Sequence, residues 1–277
     1  MKTEIVKDIR YGNHERHMVD IAFPCGATGD VDLVLMIHGG GWTAGDKSLY
    51  HGEIEKFAGS GVVAATMNYR YATESVSCLD ILDDITAALA KIKEVALQKG
   101  IKISRALLTG LSAGGHLSLL YAYARADEAP IRPAAVVEQS GPADMVSDEA
   151  IEKFIYDNEA GGSDEIFLLF SKCCGVKTNE ENRKSPEVLE AAKKASPVCF
   201  VNESTVPTVI CHAVNDRIVP YCNATALEKE LEKHGVTHDF VSFPTSGHCL
   251  EKDPDSTAEM WRLTWEYINK YLTVFKG

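Results

Sequence analysis

Short apolar runs rich in β-branched residues alternate along this chain with stretches of helical periodicity, and this alternation constrains the fold more than any other feature. Asp32 to Ile37, Val62 to Met67, Arg105 to Thr109, Ala134 to Glu138, Val206 to Cys211 and His238 to Phe243 read as buried strands. Strands buried on both faces need helices above and below them. The pattern therefore predicts an α/β fold, a mostly parallel central sheet flanked by helices. Two earlier segments, Thr3 to Ile9 and His17 to Phe23, read as an antiparallel edge.

The helical stretches carry their own signals. Ile81, Ile85, Ala88, Leu89, Ile92 and Ala96 fall on one face, with Asp80, Asp83 and Asp84 near the positive N-terminal end. A later helix is expected to open with Pro220, turn Ala224, Leu227 and Leu231 inward, and stop at Gly235. The last is expected to begin with a capping box, Ser256 to Glu259, and to bury Trp261, Trp265, Ile268 and Leu272. The stretch from about Pro142 to Pro197 is too long for a simple connection. In it Ile151, Phe154 and Ile155, then Ile166, Leu169 and Phe170, repeat at helical spacing among charges. We expect one domain over residues 1–277 with a small helical cap insertion at about 142–197.

With 277 residues, 45% of them hydrophobic, the chain can bury a full core. Its net charge of -12 and the lack of any Lys/Arg-rich run argue against nucleic acid or an anionic membrane surface as partner. The first ten residues alternate charged and apolar side chains, unlike the apolar core of a signal peptide. No apolar stretch approaches the roughly 20 residues that span a bilayer. The expectation is a soluble, cytoplasmic protein, its oligomeric state open, with a homodimer among the options. Cys25, Cys78, Cys173, Cys174, Cys199, Cys211, Cys222 and Cys249 are scattered, without metal-type or Cys-x-x-Cys spacing, and read as free thiols. The adjacent Cys173 and Cys174 are given no role.

The chemistry concentrates in four places. Gly110-Leu111-Ser112-Ala113-Gly114 follows the run Arg105 to Thr109 and precedes a helical run containing Leu117, Leu120 and Tyr121. A serine on a sharp strand-to-helix turn needs small neighbours, and Gly110, Gly114 and Gly115 supply them, as in a nucleophile elbow. The turn also sets Ser112 at a helix N-terminus, which favours negative charge. The second place is His38-Gly39-Gly40-Gly41-Trp42, directly after the run Asp32 to Ile37. It lacks the Gly-Lys-Ser/Thr ending of a phosphate loop, and three glycines exceed what a plain turn needs. Backbone N–H groups of Gly40, Gly41 and Ala113 are the expected donors to a developing oxyanion.

A serine hydroxyl needs a base, and the base a carboxylate. Of nine histidines, only His234, His238 and His248 follow the later strands, and His248 alone sits in a glycine-bearing loop after the last one. Asp216 lies in the loop between the strand ending near Cys211 and Pro220, while Asp253 and Asp255 come after His248 and Asp144 and Asp148 belong to the cap segment. The expected catalytic set is Ser112, Asp216 and His248. His116 reads as an interior histidine beneath the elbow, His38 as a brace for the glycine loop, and Trp42 as core or pocket wall.

With these residues in place, the chain resembles the hormone-sensitive-lipase-like branch of α/β-hydrolases, and within it the small bacterial acetyl-xylan/feruloyl-esterase-like carboxylesterases. The resemblance rests on His38 to Trp42 with Gly45-Asp46-Lys47, on Asn68-Tyr69-Arg70, on Gly110 to His116, on Ala195-Ser196-Pro197, on Asp216 to Pro220 and on Gly247-His248. It implies the α/β-hydrolase fold and a serine carboxylesterase that acts on short-chain acyl esters, such as acetylated sugars or xylan fragments, through an acyl-enzyme. The partner implied is a small-molecule ester, with no cofactor and no metal. The same frame serves kynurenine-formamidase-like amidases, the second reading. A non-catalytic ligand-binding protein is the third, and it predicts a lost triad member, whereas none is lost here. The chain departs from the group's pattern at Cys78-Leu79-Asp80, where a proline-led helix entry is common, and in its cysteine-bearing cap. The charges that interrupt the cap's apolar stripes predict faster turnover of acetyl to butyryl esters than of octanoyl or longer ones.

Overall fold

In the computed structural model, which describes residues 1–277, the apolar runs pair into one eight-stranded sheet. Its strands are β1 (Thr3–Arg10), β2 (Met18–Pro24), β4 (Leu33–Ile37), β5 (Val63–Met67), β7 (Arg105–Leu111), β8 (Arg132–Gln139), β9 (Thr208–Ala213) and β10 (His238–Phe243). The short β3 (Gly29–Asp30) and β6 (Ile101–Lys102) pair separately. The order across the sheet is β1-β2-β5-β4-β7-β8-β9-β10. The β1–β2 and β2–β5 pairs are antiparallel and the rest parallel. The expected antiparallel edge and parallel centre are therefore both present. Strand ends differ from expectation by one or two residues, as where β7 runs on to Leu111.

Alternation along the central strands feeds two layers. Leu33, Leu35 and Ile37 face a core shared with α2 (Cys78–Gln98), α3 (Ala113–Ala124) and α7 (Cys222–Lys233). Val34 and Met36 face a second core with α1 (His51–Gly59) and α8 (Pro254–Tyr271). All six apolar residues expected on the inner face of α2 are buried. At its start Asp80 accepts the Ser77 N–H at 2.8 Å, capping the first turn. Asp84 does more than complement the helix dipole: it is buried and pairs with Arg70 at 2.8 Å and His17 at 3.2 Å.

Two helix starts are corrected. Helix α7 begins at Cys222, two residues after Pro220, and Gly235 follows its end at φ 65°. Helix α8 begins at Pro254, so Ser256 lies inside it and its hydroxyl donates to Ser242 O. Glu259 pairs with Arg262 rather than closing a capping box. Proline at the first helical position, where no N–H is needed, outcompetes the Ser-x-x-Glu signal. Met260, Leu263, Tyr267 and Ile268 bury the inner face of α8, and Leu272 is buried just beyond its end. Trp261 and Trp265 are only partly buried, packed against Phe57 of α1.

Between β8 and β9 stand α4 (Asp148–Tyr156), α5 (Ser163–Cys174) and α6 (Pro186–Ala195). Ile151, Phe154 and Ile155 of α4 pack with Ile166 and Phe167 of α5 and with Val219. The apolar stripe of α5 is Ile166, Phe167, Phe170 and Cys173, while Leu169 is only partly buried. No helix is long and apolar enough to cross a membrane.

Candidate active site

The ends of β4, β7, β9 and β10 bring the four sequence signals to one edge of the sheet, the carboxyl side on which open α/β sheets place ligands. Between β7 and α3, Ser112 holds φ 60° and ψ -124°, a strained conformation for a residue with a Cβ. Its N–H donates to Gln139 O at 2.7 Å, and the Leu111 N–H donates to the Tyr50 hydroxyl at 3.2 Å. Close approach is what Gly114 permits, because any Cβ there would collide with the Ile37 carbonyl. Ala113 opens α3, whose first turn has N–H groups without intrahelical partners.

Opposite the elbow, the loop after β4 turns through Gly40 at φ 109° and Gly41 at φ 55°. Neither residue's N–H is spent on another backbone carbonyl. His38 is fully buried and braces this loop: Arg16 donates to its Nε2 at 3.2 Å, so its Nδ1–H donates to Gly39 O at 2.8 Å. Trp42 is core, and its Nε1–H donates to His116 Nδ1 at 3.1 Å. His116 Nε2–H in turn donates to Ala195 O at 2.7 Å, linking the glycine loop, α3 and the end of α6. Burial pulls both His38 and His116 down to about 4, so both rings are neutral near pH 7.

The loop after β9 carries Asp216, whose side chain is buried. Its Oδ1 accepts the N–H groups of Ile218 at 2.8 Å and Val219 at 2.9 Å, and its Oδ2 accepts His248 Nδ1–H at 2.8 Å. Burial alone would raise the carboxyl's pKa, but the hydrogen bond and charge of His248, with His212 and the Ile218 N–H, bring it below the ordinary value. The His248 loop is anchored in turn by Asp253, which accepts the N–H groups of Ser246 at 2.7 Å and Thr245 at 3.1 Å. Gly40, Gly41, Leu49, Tyr50, Ser112, Ile218 and His248 line one cavity of about 460 Å³. Ser112 and His248 meet across it without a direct hydrogen bond.

All six expected site residues thus lie at one place: Ser112, Gly40, Gly41 and His248 on the cavity, Asp216 behind His248, and Ala113 at the helix start beside Ser112. His234 caps the end of α7 and His238 starts β10, both away from this edge. Metal-type clusters lie elsewhere. Cys78, His116 and Cys173 bring their ligand atoms within 4.8 Å of one another. Both nitrogens of His116 are already committed, to Trp42 and Ala195. Glu228, Glu232 and His238 form a second, more open group.

Residues 19–231, from β2 through α7, match the BD-FAE family. The chain belongs to that family. The BD-FAE domain is a hormone-sensitive-lipase-like α/β-hydrolase, which bears out the resemblance seen in the motifs. Among curated relatives, this BD-FAE chain is 26% identical over 239 residues to the probable carboxylic ester hydrolase LipM of Mycobacterium tuberculosis, covering 82% of this chain and 51% of LipM. It is 22% identical over 256 residues to the probable isoprenylcysteine alpha-carbonyl methylesterase ICMEL1 of Oryza sativa subsp. japonica, covering 89% of this chain and 57% of that protein. It is 23% identical to the non-reducing polyketide synthase atr1 of Stereocaulon alpinum, of which it covers 11%. The chain thus spans about half the length, or less, of the curated relatives it matches. Among solved structures, a truncated carbohydrate esterase from gut microbiota superposes with TM-score 0.75 at 21% identity, covering 96% of this chain and 97% of the other. The fold is the α/β-hydrolase fold.

Three residues of this BD-FAE site escaped sequence reasoning. Tyr50 holds the Leu111 N–H, Asp253 anchors the His248 loop, and His212, fully buried, donates from Nε2 to Val219 O at 2.9 Å. His212 had a signal, its place at the end of an apolar run four residues before Asp216. Tyr50 meets Leu111 through proximity that no local spacing encodes, whereas Asp253 acts within its own loop.

Proposed function

We propose that this chain is a serine carboxylesterase acting on short-chain acyl esters through an acyl-enzyme. The observation that carries the reading is the hydrogen-bonded Asp216–His248 pair facing, across one cavity, a serine held at φ 60°. Asp216 cannot donate, so His248 carries its proton on Nδ1 and presents Nε2 as the base. As substrate closes the gap, His248 takes the Ser112 proton and Oγ attacks the ester carbonyl. N–H groups of Gly40, Gly41 and Ala113 receive the oxyanion, where one donor is worth about 3 kcal/mol. Collapse expels the alcohol, which takes its proton from His248, and water then releases the acid by the same route. Every group needed comes from the protein, so the mechanism calls for no cofactor or metal.

Residues 142–197 act in this reading as a cap on a single domain. Leu169 of α5 roofs the glycine loop, its methyl carbons 3.4 and 3.5 Å from where a Cβ on Gly41 would stand. That roof favours acetyl to butyryl groups, with acetylated sugars or xylan fragments as the substrate class. The eight free thiols support a reducing compartment such as the cytoplasm. A panel of p-nitrophenyl esters from acetate to palmitate, acetylated sugars and N-formyl amides tests the proposal. We expect the highest kcat/KM on short acyl esters. Faster turnover of N-formyl amides would make the protein an amidase, and kcat/KM rising through palmitate would refute the short-acyl roof.

A further inference from the structure

Beneath the Asp216 turn the structure holds more polar chemistry than a triad requires. Three buried side-chain atoms in the chain have no hydrogen-bond partner, and two of them, Ser140 Oγ and His212 Nδ1, flank Cys211. His212 follows Cys211 in β9, and the Ser140 N–H donates to Cys211 O at 2.8 Å. Glu138, opposite Ile210 in the β8–β9 ladder, is also fully buried, its carboxyl accepting the Gly141 N–H at 2.8 Å.

His212 touches the site at one remove. Its Nε2–H fixes the Val219 carbonyl at 2.9 Å, and the N–H of the same Val219 holds Asp216 Oδ1 at 2.9 Å. The ring nitrogen also lies 3.6 Å from Asp216 Oδ2, the oxygen that receives His248. Since Nε2 donates, Nδ1 is a bare acceptor in the interior, and a buried acceptor left without a donor costs about 1–3 kcal/mol.

We propose that His212 is a positioning residue for the Asp216–His248 pair, its Nε2–H fixing through Val219 the turn that aims the carboxylate. The inference rests on reading Asp216 as the acid of the site. Because the Val219 carbonyl accepts from Nε2, the neutral Nε2–H tautomer is the one this turn requires. One titration tendency agrees with this. Burial lowers His212, the Val219 carbonyl and Asp216 notwithstanding, and keeps the ring neutral. The groups facing His212 are Asp216, His248 and the edge-on Tyr221 ring at 5.9 Å.

The test compares His212→Leu, which removes the donor, with His212→Gln, whose amide N–H reaches toward the Nε2 position, using Asp216→Asn as control and p-nitrophenyl acetate as substrate. We expect His212→Leu to lower kcat about 10²-fold, as misplacing a catalytic group does, with KM nearly unchanged, and His212→Gln to recover most of the loss. ¹⁵N ring shifts of the wild-type protein supply a measurement independent of folding in the variants. They are expected to show His212 as the neutral Nε2–H tautomer. Wild-type kcat in His212→Leu, or an Nδ1–H tautomer, overturns the proposal. If Asp216→Asn is inactive while His212→Leu is fully active, only this inference fails. A fully active Asp216→Asn defeats the triad reading itself.

Discussion

The floor of the cavity and the helical segment proposed as its roof are built on different principles. On the floor, backbone geometry is forced at nearly every residue: Ser112 sits at φ 60°, Gly114 touches the Ile37 carbonyl, and His38 and His116 have both ring nitrogens committed. The roof is held mainly by apolar contacts, the cluster of Ile151, Phe154, Ile155, Ile166, Phe167 and Val219. Its ion pairs, such as Lys153–Glu149 at 2.7 Å, are surface pairs, of a kind worth about 0–1 kcal/mol. Position on the floor is therefore specified by hydrogen bonds and sterics, which do not tolerate small changes. Apolar packing on the roof tolerates substitution at a graded cost. Floor residues should set whether the chemistry happens, and roof residues which acyl groups reach it.

The largest effect expected from this contrast is on the floor. Ser112→Ala should leave a folded protein whose esterase turnover falls by roughly 10⁴ or more, since nucleophile and base act as a unit. Near-wild-type turnover in that variant would erase the distinction between floor and roof.

The middle effect lies on the roof. Leu169→Ala should open space above Gly41 and raise kcat/KM for octanoyl relative to acetyl p-nitrophenyl esters by about tenfold, the scale of a few methylene contacts in an apolar pocket. Thermal stability should fall little, because Leu169 is only partly buried. An unchanged chain-length profile would separate Leu169 from the acyl path.

The smallest effect sharpens the comparison by pH. Glu138 is held up to about 8 against an ordinary value of 4.5. Between those values the folded chain keeps a proton that the unfolded chain has lost, so stability falls as pH rises through that window. Glu138→Gln removes this term. Its Tm relative to wild type should therefore be higher at about pH 8 than at about pH 5. Asp216 has the opposite sign: its lowered value gives stability that is present above the unfolded carboxyl's range and is lost as pH falls through the folded value. A Tm difference independent of pH would show Glu138 to be ionised at both.

The contrast also explains what the sequence revealed. Gly110 to Gly114 and His38 to Trp42 were legible because elbow and glycine loop are local, each a few residues after a strand. Asp216 and His248 were legible from chain order. Tyr50 was not, because its contact with Leu111 depends on which elements the assembled sheet brings together, while His212 with Val219 and Asp253 with Ser246 are local pairs whose polar side chains repeat with no helix or strand period. Helix α1 was missed because its inward set is only Ile54, Phe57 and Ala58, too short to establish a period. The start of α8 was misplaced because two local signals competed two residues apart, Pro254 and the Ser256–Glu259 pair, and only one could begin the helix.

The central claim is that Ser112 Oγ is the atom to which acyl groups are transferred, and labelling with a fluorophosphonate followed by peptide mass spectrometry tests it most directly. The account predicts one phosphonyl group per chain, on Ser112, with esterase activity lost in proportion to label. Inactivation with the label on another residue, or turnover that persists once Ser112 is fully labelled, would contradict it.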